Sequence, residues 1–308
     1  MQKGEEGLNK AYDDTINRIG NQQQGFRDLA KRVLLWIVCA KRPLTTGELR
    51  HALAVEPSTS SLDMRSLYTL KDIVSSCLGL VTVDQDSNII RLVHYTTQEY
   101  FQRTGLENFP DIQRDIITAS CLTYLSFDVF AEGCCLNDEI LKTRLQQYPF
   151  FNYAAQNWAY HFEDTQQSAG DLTLKFLVDD SKTATSSQVL FPSQAFFQRP
   201  PKQFCGMHLV AYFGFKDIMM RLLREKGPDA KDSNGRTPLS YAAERGNEVV
   251  VNLLLNCNVD PNSKCADGWT PLSRAVERGS AAIVQLLLAQ RVEMDHNYNI
   301  VSQSIICA

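Results

Sequence analysis

The sequence predicts a mainly α-helical protein in three parts: three helices with a small β hairpin, a helical middle, and a solenoid of short helical repeats. Three observations carry this. The first is internal repetition: TPLSYAAERGNEVVVNLLL begins at Thr237 and TPLSRAVERGSAAIVQLLL at Thr270, 33 residues later, with 12 of 19 positions identical. A period of that length marks stacked supersecondary units, each too small to bury its own apolar face. The second is a set of three helical stretches between Phe26 and Cys77 that gives way to two short strand-like runs. The third is composition: 308 residues with 44% apolar content suit a globular chain of about two domains. No apolar run reaches the ~18 residues a bilayer span needs.

The elements follow in order. Leu8 to Gly20 places Leu8, Tyr12, Ile16 and Ile19 near helical spacing, and the polar NQQQG ends it. Phe26 to Ala40 is a helix with Leu29, Val33, Trp36 and Ile37 on one face, stopping before Lys41-Arg42-Pro43. The next helix starts after Leu44-Thr45-Thr46, where a threonine cap precedes Glu48, and carries Leu49, Leu53 and Ala54. A Ser/Thr-rich loop with Pro57 leads to a third helix around Leu67 to Cys77. The runs GLVTVDQ and NIIRLVHY, separated by Asp86-Ser87-Asn88, read as paired strands. Three helices followed by a two-stranded hairpin spell a winged helix, assigned to residues 1–104.

Residues 105–200 read as a helical linker region: DIQRDIITASCLTYLSF, DEILKTRLQQ, FFNYAAQNWAYHF and DLTLKFLVDD, punctuated by Pro149 and Gly170. Ser181 to Pro201, with SKTATSSQ, Phe191-Pro192 and Pro200-Pro201, is the most linker-like stretch, so the repeat domain is placed at 201–308. In each repeat a threonine (Thr237, Thr270) caps a short helix whose first residue is proline (Pro238, Pro271), and glycine (Gly246, Gly279) ends it. A second helix carries Val250, Leu253 and Leu254 in one copy and Ile283, Leu286 and Leu287 in the other. Asn234-Gly235 and Asp267-Gly268 signal the hairpins. A divergent first copy, CGMHLVAYFGFKDIMMRLLRE, starts at Cys205 and lacks the Thr-Pro pair. The tail after Gln290 begins like a fourth hairpin and loses the pattern; either it folds over Ile283 and Leu287 as a cap, or the array continues beyond it.

Charge is uneven. Residues 1–103 hold 13 basic and 12 acidic side chains, 104–200 hold 6 and 12, and 201–308 hold 12 and 11, so the net −4 belongs to the middle. Neither end offers the basic field of a nucleic-acid binder. Nine scattered cysteines, an odd number, read as reduced thiols of the cytosol or nucleus. The opening MQKGEEGLNK lacks the apolar core of a signal peptide.

The TPL opening, the 33-residue step and the Asn-Gly or Asp-Gly upstream resemble the ankyrin repeat. His208 stands where such repeats often have histidine, whereas the later copies have Ser240 and Ser273. KRPLTTGELRHALAV from Lys41 and IIRLVHYTTQEYFQRT from Ile89 look like the winged-helix segment that follows the NACHT module of fungal-type NACHT–ankyrin proteins. That segment goes by the name "GPI inositol-deacylase winged helix domain". CLTYLSFDVF and FFNYAAQNWAYHF resemble the helical linker of the same proteins, so the likeness spans nearly the whole chain. It implies a signal-transducing switch, in which a nucleotide-binding module drives, the winged helix relays and the repeats sense a partner. This chain departs at the motor: it has no GxxxxGK[ST] loop and no Asp-rich magnesium strand, so no nucleotide or other cofactor is assigned. Nor has it the GxSxG elbow that serine chemistry would use.

Candidate chemistry is sparse. Cys134-Cys135 with His161 lacks the CxxC spacing of a zinc site and reads as ordinary thiols. His94 could be a base, but its place before Tyr95-Thr96-Thr97 favours a strand-to-helix junction; His208 favours a bond within or between repeats. Trp158, Tyr160 and Phe162 favour packing over a stacking platform. The third helix of the winged helix has Lys71 as its sole basic residue, beside Asp72, which argues against major-groove binding.

The reading is therefore a non-catalytic interaction module, with no catalytic, metal or cofactor residues. It takes a protein partner on the concave face and hairpin tips of the repeats, and an upstream NACHT module is the second expected partner; neither nucleic acid nor membrane is expected. The ankyrin resemblance nominates Asn234, Arg236, Tyr241, Arg245, Trp269, Arg274 and Arg278 as contact residues, with Trp269 foremost. Against this, Arg245 and Arg278 could simply pair with neighbouring acids in the repeated Glu-Arg-Gly. Two other classes stay open: a winged-helix DNA-binding regulator, and an enzyme of unrecognised type using His94, His161 or Cys134.

Overall fold

The structure is a computed structural model that describes residues 2–104, 115–163, 170–190 and 203–290, with residues 2–6 as backbone alone. It divides into two compact units, Met1–Phe127 with Lys142–Ala169, and Asp128–Leu141 with Gly170–Ala308. The boundaries read from sequence at 104 and 200 do not coincide with this division.

The first unit opens with α1 (Gln2–Gly20) and α2 (Gln24–Cys39). A two-residue strand, β1 (Leu44–Thr45), then leads into α3 (Thr46–Ala54). Thr45 and Glu48 form the expected capping box: Glu48 N donates to Thr45 Oγ1 at 3.2 Å and Thr45 N to Glu48 Oε2 at 2.8 Å. Glu48 also holds the Arg42 guanidinium at 2.6 and 3.0 Å. The third helix is shorter than expected. A 3-10 turn at Met64–Ser66 precedes α4 (Leu70–Ser76), because the Thr69 hydroxyl accepts from Asp72 N at 3.1 Å and starts the helix there.

Strands β2 (Val81–Val83) and β3 (Ile89–Leu92) follow. The sheet order is β1-β3-β2, antiparallel throughout, with Leu44 opposite Ile90 and Val81 opposite Leu92. At the hairpin tip Asp84 Oδ1 accepts from the backbone N–H of Asp86 and Ser87, both at 3.2 Å. This is the arrangement of a winged helix. Helix α5 (Tyr95–Thr104) returns to α1, where Tyr12 Oη meets Thr96 Oγ1 at 2.6 Å and Tyr100 donates to Asp13 at 2.5 Å. Helices α6 (Asp115–Leu125), α7 (Asp138–Gln147) and α8 (Phe150–Glu163) follow. The division between the units falls within α7. In the core Trp36 stands edge-on to Phe150 and Tyr153 at 5.3 and 6.0 Å.

The second unit includes α9 (Gly170–Val178) and α10 (Asp180–Leu190), and here the linker reading is corrected. The SKTATSSQ run is helical because its hydroxyls are consumed internally. Thr183 donates to Asp179 O at 3.0 Å, Ser186 to Thr183 O at 2.9 Å, and Thr185 to Ser181 O and Phe130 O at 2.8 and 2.9 Å. Gln188 bonds both the N–H and the carbonyl of Cys135, each at 2.9 Å. The rest of the supposed linker, 191–201, lies outside the described residues, as does the tail from 291.

Three helix pairs complete the unit: α11 (Gly206–Phe213) with α12 (Lys216–Leu222), α13 (Pro238–Arg245) with α14 (Glu248–Leu255), and α15 (Pro271–Arg278) with α16 (Ala281–Leu288). Each first helix packs on the next, and α9 and α10 pack on the first pair. A Cβ at Gly206 would stand 2.1 Å from Leu177 O, so glycine is what lets α9 close on α11. Lys226 to Asp180, and Arg221 to Asp171 at 2.5 Å, add ion pairs across that junction.

Candidate interaction face of the repeats

The first helices fold for the reasons legible in the sequence. Thr237 and Thr270 accept from Ser240 N and Ser273 N, both at 3.3 Å, with proline in the first turn. Gly246 and Gly279 end the helices at φ 79 and 76. In the first repeat His208 takes over the capping: Cys205 N donates to its Nδ1 at 3.1 Å. Its Nε2 donates to Ala230 O and Arg236 O at 3.1 and 3.2 Å, reaching the hairpin of the next repeat. Two carbonyl acceptors fix the proton on Nε2, and burial holds the imidazole below its ordinary pKa.

The hairpins are tight turns. Asp232 Oδ1 accepts from Asn234 N and Arg236 N, both at 2.9 Å, and Gly235 follows at φ 73. Ala266 N donates to Asn234 O at 2.8 Å, tying one hairpin to the next.

The seven nominated residues separate into groups. Tyr241 is 2% exposed, which corrects its nomination as a contact residue. Its hydroxyl donates to Asp232 Oδ2 at 2.7 Å, Phe204 and His208 meet its ring edge-on, both at 5.6 Å, and Arg236 covers its face at 3.9 Å. Arg236 is itself committed: its side chain is 11% exposed and pairs with Glu244. Arg274 lies over the Trp269 ring at 4.4 Å and bonds Glu277 at 3.0 Å, so one face of the half-buried indole is covered. Asn234 is half-buried and contributes its carbonyl to the hairpin link.

Arg245 and Arg278 are exposed, and among the described residues neither makes an ion pair. The acids of the repeated Glu-Arg-Gly are taken by Arg236 and Arg274, not by their sequence neighbours. Arg245 lies over the Tyr212 ring of the preceding repeat at 4.4 Å. Arg278 rests against the preceding repeat too: a Cβ at Gly246 would stand 3.7 Å from its Nε. The sequence reading missed Tyr212, whose signal is an aromatic where the later copies have Glu244 and Glu277. It also missed Asn247, whose Nδ2 donates to Ala211 O and Tyr212 O at 2.7 and 3.0 Å and so caps the preceding helix.

The geometry fits three ankyrin units. The chain carries ankyrin repeats. Residues 207–300 match the family model described as ankyrin repeats (3 copies), and residues 18–113 match the model of the GPI inositol-deacylase winged helix domain. In the comparison with curated proteins nothing matches.

The other candidate groups are occupied structurally. His94 Nδ1 accepts from Thr96 N at 3.3 Å and meets Thr96 Oγ1 at 2.9 Å, starting α5. His161 Nε2 meets Tyr153 Oη at 2.8 Å, in the first unit. In the second unit Cys134 Sγ donates to Ala184 O at 3.2 Å. Burial pushes the Cys77 thiol up to about 12 and raises that of Cys121 as well. Trp158 and Phe162 are buried and Tyr160 is exposed. Among the described residues no group of three His, Cys, Asp or Glu could hold a metal ion, and no helix is long and apolar enough to cross a membrane.

Proposed function

We propose that this chain is a non-catalytic interaction module whose ankyrin repeats bind a protein partner and whose winged helix passes that state to an adjoining nucleotide-binding module. One observation carries the first half. The side chains that could have closed on one another along the repeats do so selectively: Arg236 and Arg274 are spent on Glu244 and Glu277, leaving Arg245 and Arg278 exposed and without an ion pair among the described residues, with the half-buried Trp269 between them in sequence. Exposed arginine and tryptophan supply contact area and charge-assisted hydrogen bonds at protein interfaces. A photo-crosslinking residue at Trp269 or Arg278 of the full chain should couple to a discrete protein, whereas the same residue at Met220, on α12, should not. Coupling from Met220 alone, or from none of the three, sinks this half.

The relay rests on the winged-helix match at residues 18–113 and on the resemblance of Lys41–Val55 and Ile89–Thr104 to the NACHT-associated segment. Immunopurification of the native product through TPLSYAAERG, read by mass spectrometry, tests it. A P-loop peptide upstream in the same product supports the relay; a product of 34.8 kDa, with no copurifying nucleotide-binding protein, rejects it.

A further inference from the structure

We infer that the edge formed by Tyr212, Arg245 and Arg278 recognises an acidic segment in an extended, polyproline-like conformation, with carboxylates three residues apart. The inference deepens the protein-binding reading above and rests on it. Arg245 and Arg278 are the last residues of successive first helices, α13 and α15, each followed by a left-handed glycine. Each guanidinium leans on the repeat before it, Arg245 on the Tyr212 ring at 4.4 Å and Arg278 over Gly246. The two cations are therefore presented at matched places, one per repeat, instead of being scattered on long free side chains.

Their neighbours do not neutralise them. Glu244 and Glu277 are held by Arg236 and Arg274, and the carbonyls that end α11 are held by Asn247. A pair of unneutralised, pre-positioned guanidiniums favours carboxylates, which accept two parallel N–H bonds from each. The spacing chooses the register. Packed helices such as α13 and α15 stand about 10 Å apart. A polyproline II segment returns to the same face every three residues, a rise of about 9 Å. A β-strand alternates faces, so acids three apart would point to opposite sides. Tyr212 and Phe213, half-buried at the first-repeat end of the same edge, extend it with aromatic surface.

The test uses the full chain and a fluorescein-labelled peptide of five Glu-Pro-Ser repeats, compared with a peptide of the same composition in which the glutamates stand at every second position, so that no two are three residues apart. Fluorescence polarisation at low salt should show the Glu-Pro-Ser peptide binding about tenfold more tightly, and Arg245→Ala and Arg278→Ala should each weaken it about fivefold. Arg224→Ala, an exposed cation elsewhere on the unit, should leave it unchanged. Both site variants should keep the parent melting temperature, since neither side chain is buried. Equal binding of the two peptides, failure of both to bind, or equal loss in Arg224→Ala overturns the inference. If the partner still couples to Trp269 while Arg245→Ala and Arg278→Ala leave it bound, the acidic-segment inference fails and the protein-binding reading stands. Loss of the crosslink at Trp269 together with absence of peptide binding removes both.

Discussion

In the first unit the buried polar groups reach far along the chain. His51 Nδ1 meets Tyr124 Oη at 2.7 Å, Lys41 N donates to Tyr153 Oη at 3.0 Å, and Gln22 donates to Ser76 O at 2.8 Å. In the ankyrin stack the corresponding bonds reach one neighbour: Asn247 to Ala211 and Tyr212, His208 to Ala230 and Arg236, Ala266 to Asn234. The first unit is thus a single non-local core, in which one lost side chain is felt by every element around it. The ankyrin stack is close to one-dimensional, a sum of repeats and nearest-neighbour interfaces. Partner residues on such a stack can change without dismantling it, which is what a recognition surface requires.

The largest break in this contrast should come from Trp36→Ala. The indole is fully buried against Phe150 and Tyr153, and its removal should cost the first unit about 3–5 kcal/mol. Urea denaturation followed by circular dichroism would read the loss; a cost below about 1 kcal/mol would mean that the core collapses around the gap.

Within the second unit the two kinds of glycine should behave differently. Gly206→Ala drives a Cβ to within 2.1 Å of Leu177 O, a backbone atom that cannot swing aside, and should cost about 3 kcal/mol. Gly279→Ala meets nothing within 4 Å among the described residues and should cost only about 1 kcal/mol, for its φ of 76. Thermal melts of the two variants give the order, and equal costs would show that α9 moves freely over α11.

The first unit should also carry a pH dependence. Burial, assisted by Arg50, lowers His51 from 6.5 to about 4. The unfolded chain then takes up this proton near 6.5 and the folded chain only near 4, so the contribution of His51 to stability is constant above that window and falls as pH drops through it. In His51→Gln this part of the decline between pH 6.5 and 4 should vanish. An unchanged profile would assign the acid sensitivity to other groups.

These contrasts also mark what could be read from the chain. The repeat step, the caps at Thr237 and Thr270 and the Thr45–Glu48 box were legible because local chemistry decides them. Helix α10 was not. Its hydroxyl-rich composition reads as loop until Phe130 O and the residues one turn back are seen to accept those hydroxyls. Tyr241 was misread for a related reason. Its counterpart in the next repeat is Arg274, so the pattern marks a surface position. Phe204, His208 and Arg236, none of which a periodicity shows, enclose the ring. What remained outside the sequence was side-chain partnership across repeats, and the candidate edge at Arg245 and Arg278 depends on that partnership.

The smallest predicted effect isolates a single hydroxyl. Ser240 and Ser273 occupy the same position in successive repeats, and both are buried. Ser273 Oγ donates to Thr270 O at 2.9 Å and accepts from Thr270 N at 2.9 Å, whereas among the described residues Ser240 Oγ has no hydrogen-bond partner. Ser273→Ala should therefore lose about 1 kcal/mol, because Thr270 N is left buried and unpaired. Ser240→Ala removes a desolvated hydroxyl without orphaning a partner and should be neutral or slightly stabilising. In a nearest-neighbour stack the two effects should add in the double variant to within about 0.5 kcal/mol, since the residues share no partner. A larger departure in denaturant melts would show that the repeats are coupled beyond their immediate contacts, and would weaken the contrast with the first unit.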